Sequence, residues 1–258
     1  MTVLPVIVRE VRMRARGRAT YWSRMAVAFI GALLCVQQLI VSGPLGTPAA
    51  VGRNVFNQMV GAAFLLSCGA CLLAAEAIGS ERRQGTLGLL FLTRVRGFDV
   101  VAGKLVSVGA TSLCALTGLL PALMIPVLAG GVTGGEAFRK GAGLLATLLF
   151  ALGAGLLGAA VQAHRFKAAC GAVLVVLLTA LVPLVLLNYA KGGIWHYAGW
   201  LSPLVLMVAA GDASYQTAPG FYWGALATVQ ALGWLLTVAA GLQLRRSISR
   251  DGGAEIVR

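Results

Sequence analysis

Cys68-x-x-Cys71 has the spacing of half a tetrahedral metal site, but no second Cys/His pair accompanies it. All five cysteines, Cys35, Cys68, Cys71, Cys114 and Cys170, fall inside apolar runs. They read as small buried hydrophobes, not as disulfide partners. His164 and His196 stand in loop segments with no neighbour that would define a catalytic pair, and read as solvated histidines. The chain has no H-E-x-x-H, no G-x-S-x-G and no paired intramembrane aspartates. It has no G-x-x-x-x-G-K-[ST] phosphate loop either; Gly131 to Lys140 is glycine-rich but lacks that pattern. No catalytic residue, metal or cofactor is therefore expected in this chain.

Two features remain. Glu76 is a carboxylate near the end of an apolar run, where an anion at a helix C-terminus is unfavourable. A basic partner such as Arg83 would offset that and give Glu76 a role in helix contact or coupling. The second feature is the loop 79–104. It opens Ser80-Glu81-Arg82-Arg83-Gln84-Gly85-Thr86-Leu87 and continues into Leu90, Phe91 and Leu92 before Arg94, Arg96 and Asp99. Ser80 as a cap and Glu81 at the positive end predict a helix over about 81–92. That helix is too short to span a membrane, and its apolar side chains need cover from lipid or a partner protein.

The elements that must position these residues follow from composition. Of 258 residues, 59% are hydrophobic and only 11% charged, too few charges to cover a water-facing surface. An all-α integral membrane protein is expected, with one six-span domain over 25–258 and no second soluble domain. The spans fall at about 25–42, 55–78, 105–129, 141–161, 168–188 and 221–243. Five of them contain no Asp, Glu, Lys, Arg or His, and the remaining one holds only Glu76 of these types. Gln37, Gln38, Thr111, Ser112, Thr117 and Gln230 are left to hydrogen-bond neighbouring helices. A proton relay has no obvious residues, which favours an external energy source.

Before the first span, Leu4, Val8, Val11, Ala15, Ala19 and Trp22 recur at helical spacing among arginines. This predicts an interfacial amphipathic helix over 1–24 lying against membrane lipids. The apolar stretch 194–211 is short and interrupted by Pro203, so it reads as a re-entrant or interfacial element before the sixth span. With the N-terminus inside, the inner segments hold 17 basic residues and the outer ones 4, namely Arg53, Arg139, Lys140 and Lys191. That asymmetry predicts a multi-pass protein of the cell (inner) membrane with both termini cytoplasmic. The formal charge of +13 is then a matter of membrane orientation and not of nucleic-acid binding.

Glu81-Arg82-x-x-Gly85-Thr86-Leu87-x-x-Leu90, followed by Gly103-Lys104 at the mouth of the third span, resembles the type-2 ABC exporter permeases. The resemblance takes in the basic N-terminus, the six spans and Leu201-Ser202-Pro203 before the last span. It departs at Gly88, where many members carry an acidic residue, and at Thr93-Arg94, where many have Thr-Pro. The resemblance implies that the 79–104 loop carries a coupling helix that docks on a separate ATP-binding-cassette ATPase subunit. ATP and Mg would then belong to that partner, and this chain would be no enzyme. It further implies a second permease subunit, in a homo- or heterodimer, to complete the path. The contact residues it implies are Glu81, Arg82, Gly85, Thr86, Leu87, Leu90, Phe91 and Lys104. A mainly apolar interior suits a lipid-like, peptide or drug-like cargo better than a bare ion. The alternative from another class is a membrane scaffold or assembly factor, whose loop docks a partner without transport. A membrane-embedded lipid enzyme would need an acidic or histidine cluster that the sequence does not show.

Truncating a buried interface anchor costs about 2 kcal/mol, roughly thirty-fold in affinity. Leu90→Ala with Phe91→Ala should therefore leave the protein inserted but weaken retention of an ATPase partner in pull-downs by about that factor. Retention at the wild-type level would remove this loop as the coupling element.

Overall fold

The computed structural model describes residues 18–42, 47–83, 97–128, 130–162, 164–189 and 198–255. All regular structure among them is helical. In chain order the helices are α1 (Arg18–Ser42), α2 (Pro48–Arg83), α3 (Gly97–Leu116), α4 (Leu120–Leu128) and α5 (Gly134–Val161). There follow α6 (Arg165–Tyr189), α7 (Pro203–Ala209), α8 (Asp212–Thr217) and α9 (Pro219–Glu255). Two 3-10 turns, Thr117–Leu119 and Gly199–Leu201, punctuate the series.

Five helical segments are long and apolar enough to cross a membrane: Pro48–Gly79, Phe98–Leu119, Gly134–Val161, Arg165–Leu186 and Pro219–Arg246. A sixth apolar stretch, Arg24–Gln38, is shorter. The chain thus has the character of a multi-pass membrane protein whose described regular structure is all helical. Many large apolar side chains face outward, among them Leu65, Leu145, Leu177 and Leu235, as helices in lipid require.

Several expected boundaries move. The division at residues 24 and 25 falls inside the single helix α1, which already runs from Arg18; residues 1–17 lie outside the described part. The third expected span is broken, because α3 gives way to the 3-10 turn and then to α4. Pro121 explains the break. It has no N–H to give the Thr117 carbonyl, and the N–H of Leu120 bonds that oxygen instead. The fourth span begins seven residues early, at Gly134, so Glu136, Arg139 and Lys140 belong to a helix and not to a loop. Ser80 does not start a new helix. It lies with Glu81, Arg82 and Arg83 inside α2, so Glu81 does not stand at an N-terminal helix end. Residues 84–96, including Gly85, Thr86, Leu87, Leu90 and Phe91, lie outside the described residues.

Helix α5 is the axis of the bundle. Of its apolar window 67% is buried, against 22–44% for the other four spans. One face packs on α2, α3 and α9 through Leu148, Leu152 and Leu156 with Ile78, Val101, Val108 and Leu244. The other packs on α6, α7 and α9 through Phe150, Ala151 and Ala154 with Val176, Leu206, Tyr222 and Val229. Lipid tails are as apolar as leucine, so helices associate here by close fit. Glycine supplies that fit. A Cβ at Gly155 would lie 2.1 Å from the Cys71 carbonyl oxygen of α2. One at Gly153 would lie 2.7 Å from the Gly233 carbonyl oxygen of α9.

The short helices fold back against this axis. Ser202 caps α7 by accepting from the Val205 N–H at 3.3 Å, and its hydroxyl donates to the Ala180 carbonyl in α6 at 2.8 Å. Ala180 lies nine residues before the end of α6, about 14 Å along it. Trp200 lies over Gly224 of α9, where a Cβ would meet its ring at 2.8 Å. The Thr228 hydroxyl donates to the Trp200 carbonyl at 2.5 Å. The segment before α9 is therefore a broken, docked element, as Pro203 led one to expect.

Gly155→Leu should prevent α2 from approaching α5, because backbone and not a flexible side chain blocks the new Cβ. Overpacking of this kind costs about 1–3 kcal/mol. A lowered apparent Tm in detergent is expected, with Gly61→Leu as the control, since a Cβ at Gly61 meets nothing within 4 Å. Equal Tm values for the two variants would refute the close-contact role of Gly155.

Candidate functional site

The strongest polar constellation lies where α5 begins. Thr133 is extended and accepts the Glu136 N–H at 3.1 Å, which starts the helix. One turn later Lys140 Nζ donates to Glu136 Oε1 at 2.7 Å and to Asn57 Oδ1 of α2 at 2.8 Å. Both charged residues are buried, Glu136 to 4% exposure and Lys140 to 7%, so the pair replaces hydration that neither retains. Lys140 also lies 4.9 Å over the Phe56 ring. Glu136 Oε2 is buried and accepts no hydrogen bond; Arg53 Nη2 approaches it only to 3.7 Å.

Arg139, on the neighbouring face of α5, holds the turn between α7 and α8. Its Nε donates to the Ala210 carbonyl at the end of α7 at 3.1 Å, and its Nη2 pairs with Asp212 at the start of α8. The guanidinium lies 4.0 Å over Tyr215, and the Tyr222 hydroxyl donates to the Arg139 carbonyl at 2.9 Å. A cation at a helix C-terminus and an anion at a helix N-terminus are both the favoured sign. The Thr133 hydroxyl donates to Asp212 Oδ2 at 2.7 Å. That bond, with the Arg139 charge, holds the Asp212 carboxyl below the ordinary carboxylate range.

These groups border a cavity of about 610 Å³ between α2, α5 and the α7–α8 turn. Arg53, Asn57, Glu136, Lys140 and Asp212 line its polar part, and Val60, Phe64, Leu65, Leu204 and Met207 its apolar part. A second cavity of about 570 Å³ lies on the other side of Lys140, among Phe56, Leu116, Leu120, Phe138 and Leu145, and is almost wholly apolar. Among the described residues no group of three His, Cys, Asp or Glu could hold a metal ion.

The sequence reading missed this cluster by ending the loop after Lys140. Two signals were available. Thr133-x-x-Glu136 has the spacing of a capping box, and Glu136 with Lys140 is an (i, i+4) acid–base pair. Both mark a helix start before the apolar run.

Of the residues singled out from sequence, Glu76, Glu81 and Arg82 lie toward the opposite end of α2 and Lys104 lies in α3, while Gly85, Thr86, Leu87, Leu90 and Phe91 fall outside the described residues. Glu76 pairs with Arg165 at the start of α6, Nε to Oε2 at 2.7 Å, a partner that sequence spacing did not suggest. The Lys104 side chain is buried within α3, not at a free mouth of the span. Glu81 and Arg82 follow about five residues beyond Glu76 on the same helix. Phe98 of α3 packs on Gly241 of α9 at this same end. The bundle therefore has a polar, cavity-bearing end and a motif-bearing end. Of the intramembrane polar residues, Gln58 of α2 and Gln38 of α1 do bond between helices, at 3.0 Å. Thr111 instead bonds its own helix at the Ser107 carbonyl, 2.9 Å away. Comparison with known proteins adds no relative, since no family model and no curated protein matches the chain.

Removing one partner of a buried ion pair costs about 3–5 kcal/mol, while removing both costs far less. Lys140→Met should therefore lower the apparent Tm strongly, and Lys140→Met with Glu136→Gln should recover most of it. A double variant as unstable as the single one would show that the pair is not what stabilises this end.

Proposed function

We propose that this chain is the membrane-spanning permease subunit of an ATP-driven exporter of the type-2 ABC class. The observation that carries the reading is the continuity of α2 from Pro48 to Arg83. At 36 residues it is about 54 Å long, well beyond a hydrocarbon core of about 30 Å. One end carries Arg53 and Asn57 at the cavity; the other carries Glu81-Arg82, the start of the E-R-x-x-G-T pattern. The two sites are about 42 Å apart on one rigid element.

In this reading a cytoplasmic ATPase grips the connection between α2 and α3 through Glu81, Arg82, Gly85, Thr86, Leu87, Leu90 and Phe91. ATP binding closes the ATPase pair and displaces the end of α2. The Glu76–Arg165 contact couples that displacement to α6, and α2 carries it to Asn57 and the buried Lys140–Glu136 pair. α1 serves as the sixth span, both termini face the cytoplasm, and a second permease subunit completes the path. ATP and Mg are held by the partner and not by this chain.

The purified chain alone should show no ATP hydrolysis, and isolation from mild detergent should bring down a nucleotide-binding partner whose hydrolysis the chain alters. Hydrolysis by the chain itself would overturn the reading. A constant partner that binds no nucleotide would favour a scaffold role instead.

A further inference from the structure

We propose that the cavity between α2, α5 and the α7–α8 turn binds one glycerophospholipid of the surrounding membrane with an anionic, hydroxyl-bearing headgroup. Three observations carry it. The first is the order of chemistry along α2. Arg53, Asn57, Val60 and Phe64 follow one another at spacings of four, three and four, so they form a single stripe along the cavity. The stripe starts polar about 8 Å from the helix end and turns apolar over the next 16 Å or so. An amphiphile with its head at the membrane surface and a chain running inward has the same gradient.

The second observation is charge. Asp212 is matched by Arg139, and Glu136 by Lys140. Arg53 approaches Glu136 to 3.7 Å and acts on Asp212 through its charge without a contact bond, and its side chain is 55% exposed at the cavity. The cluster thus carries one guanidinium in excess, which a single phosphodiester would neutralise with charge-assisted hydrogen bonds. The third is Glu136 Oε2, buried in the cavity wall and accepting no hydrogen bond. A hydroxyl beyond the phosphate would supply the missing donor. A choline headgroup carries no donor, and an ethanolamine headgroup brings a donor but no net negative charge. The apolar floor is open as well, because a Cβ at Gly61 meets nothing within 4 Å.

The inference stands apart from the exporter reading, since neither ATP nor a partner chain enters it. The test is native mass spectrometry on the full purified chain, titrated with phosphatidylglycerol, phosphatidylethanolamine and phosphatidylcholine of identical acyl chains. One phosphatidylglycerol should be retained ahead of the other two. Arg53→Gln, which alters an exposed side chain and not the core, should weaken that retention about tenfold, the loss of one charge-assisted contact. Gly61→Trp should fill the groove and abolish retention without lowering the apparent Tm. Lys167→Gln, which removes an exposed cation on α6, should leave retention unchanged. Equal retention of the three lipids, preference for phosphatidylethanolamine, no effect of Arg53→Gln, or an equal effect of Lys167→Gln would overturn the proposal.

Discussion

Where α5 crosses α2 and α9 there is no room for a side chain. Gly155 lies against the Cys71 carbonyl, and Gly153 and Gly233 lie against each other's helices. In water such contacts would be one contribution among many. In lipid, where apolar burial drives little association, close approach of backbones is a main source of helix affinity. The arrangement at both ends of the bundle follows from these crossings. Because α2 is held to α5, Asn57 reaches Lys140 at one end. Because α9 is held to α5, Tyr222 reaches the Arg139 carbonyl.

The charged end shows how a membrane protein tolerates ionisable side chains near its core. None of Glu136, Arg139, Lys140 and Asp212 is left to a lone contact with lipid; each has an opposite charge at contact distance. The same residues satisfy a backbone that cannot be helical throughout. The α7–α8 turn exposes carbonyls, and the Arg139 Nε answers the one at Ala210. Hydroxyls do the same elsewhere, Ser202 for Ala180 and Thr228 for Trp200. A broken element is stable at this depth because protein donors stand where water would otherwise be needed.

The helical type of the five long apolar elements was legible from apolar run length, and Pro203 marked the broken segment before α9. The ends of the helices were not, because an apolar run ends where charge begins while a helix ends where its hydrogen bonds do. Lys140 illustrates the difference. Its charge suggested a loop, yet Glu136 and Asn57 neutralise and solvate it within the helix. Pro121 was readable by rule, since its missing N–H forces a break four residues earlier, but the surrounding leucines masked it. Glu76 showed its need for a cation. Its partner Arg165 is 89 positions away, and only the packing of α2 against α5 and α6 brings the two together. Glycine contacts such as Gly155 on Cys71 had no signature beyond an abundance of small residues.

The cavity at one end of α2 and the docking proposed for the other can work as one machine only if the two ends face opposite sides of a membrane. Ala218, before α9, and Lys167, at the start of α6, are exposed residues at opposite ends of the bundle. With the native cysteines replaced by alanine, Ala218→Cys should react with a membrane-impermeant maleimide in intact cells. Lys167→Cys should react only after the membrane is opened. Labelling of both in intact cells, or the reverse order, would contradict the arrangement.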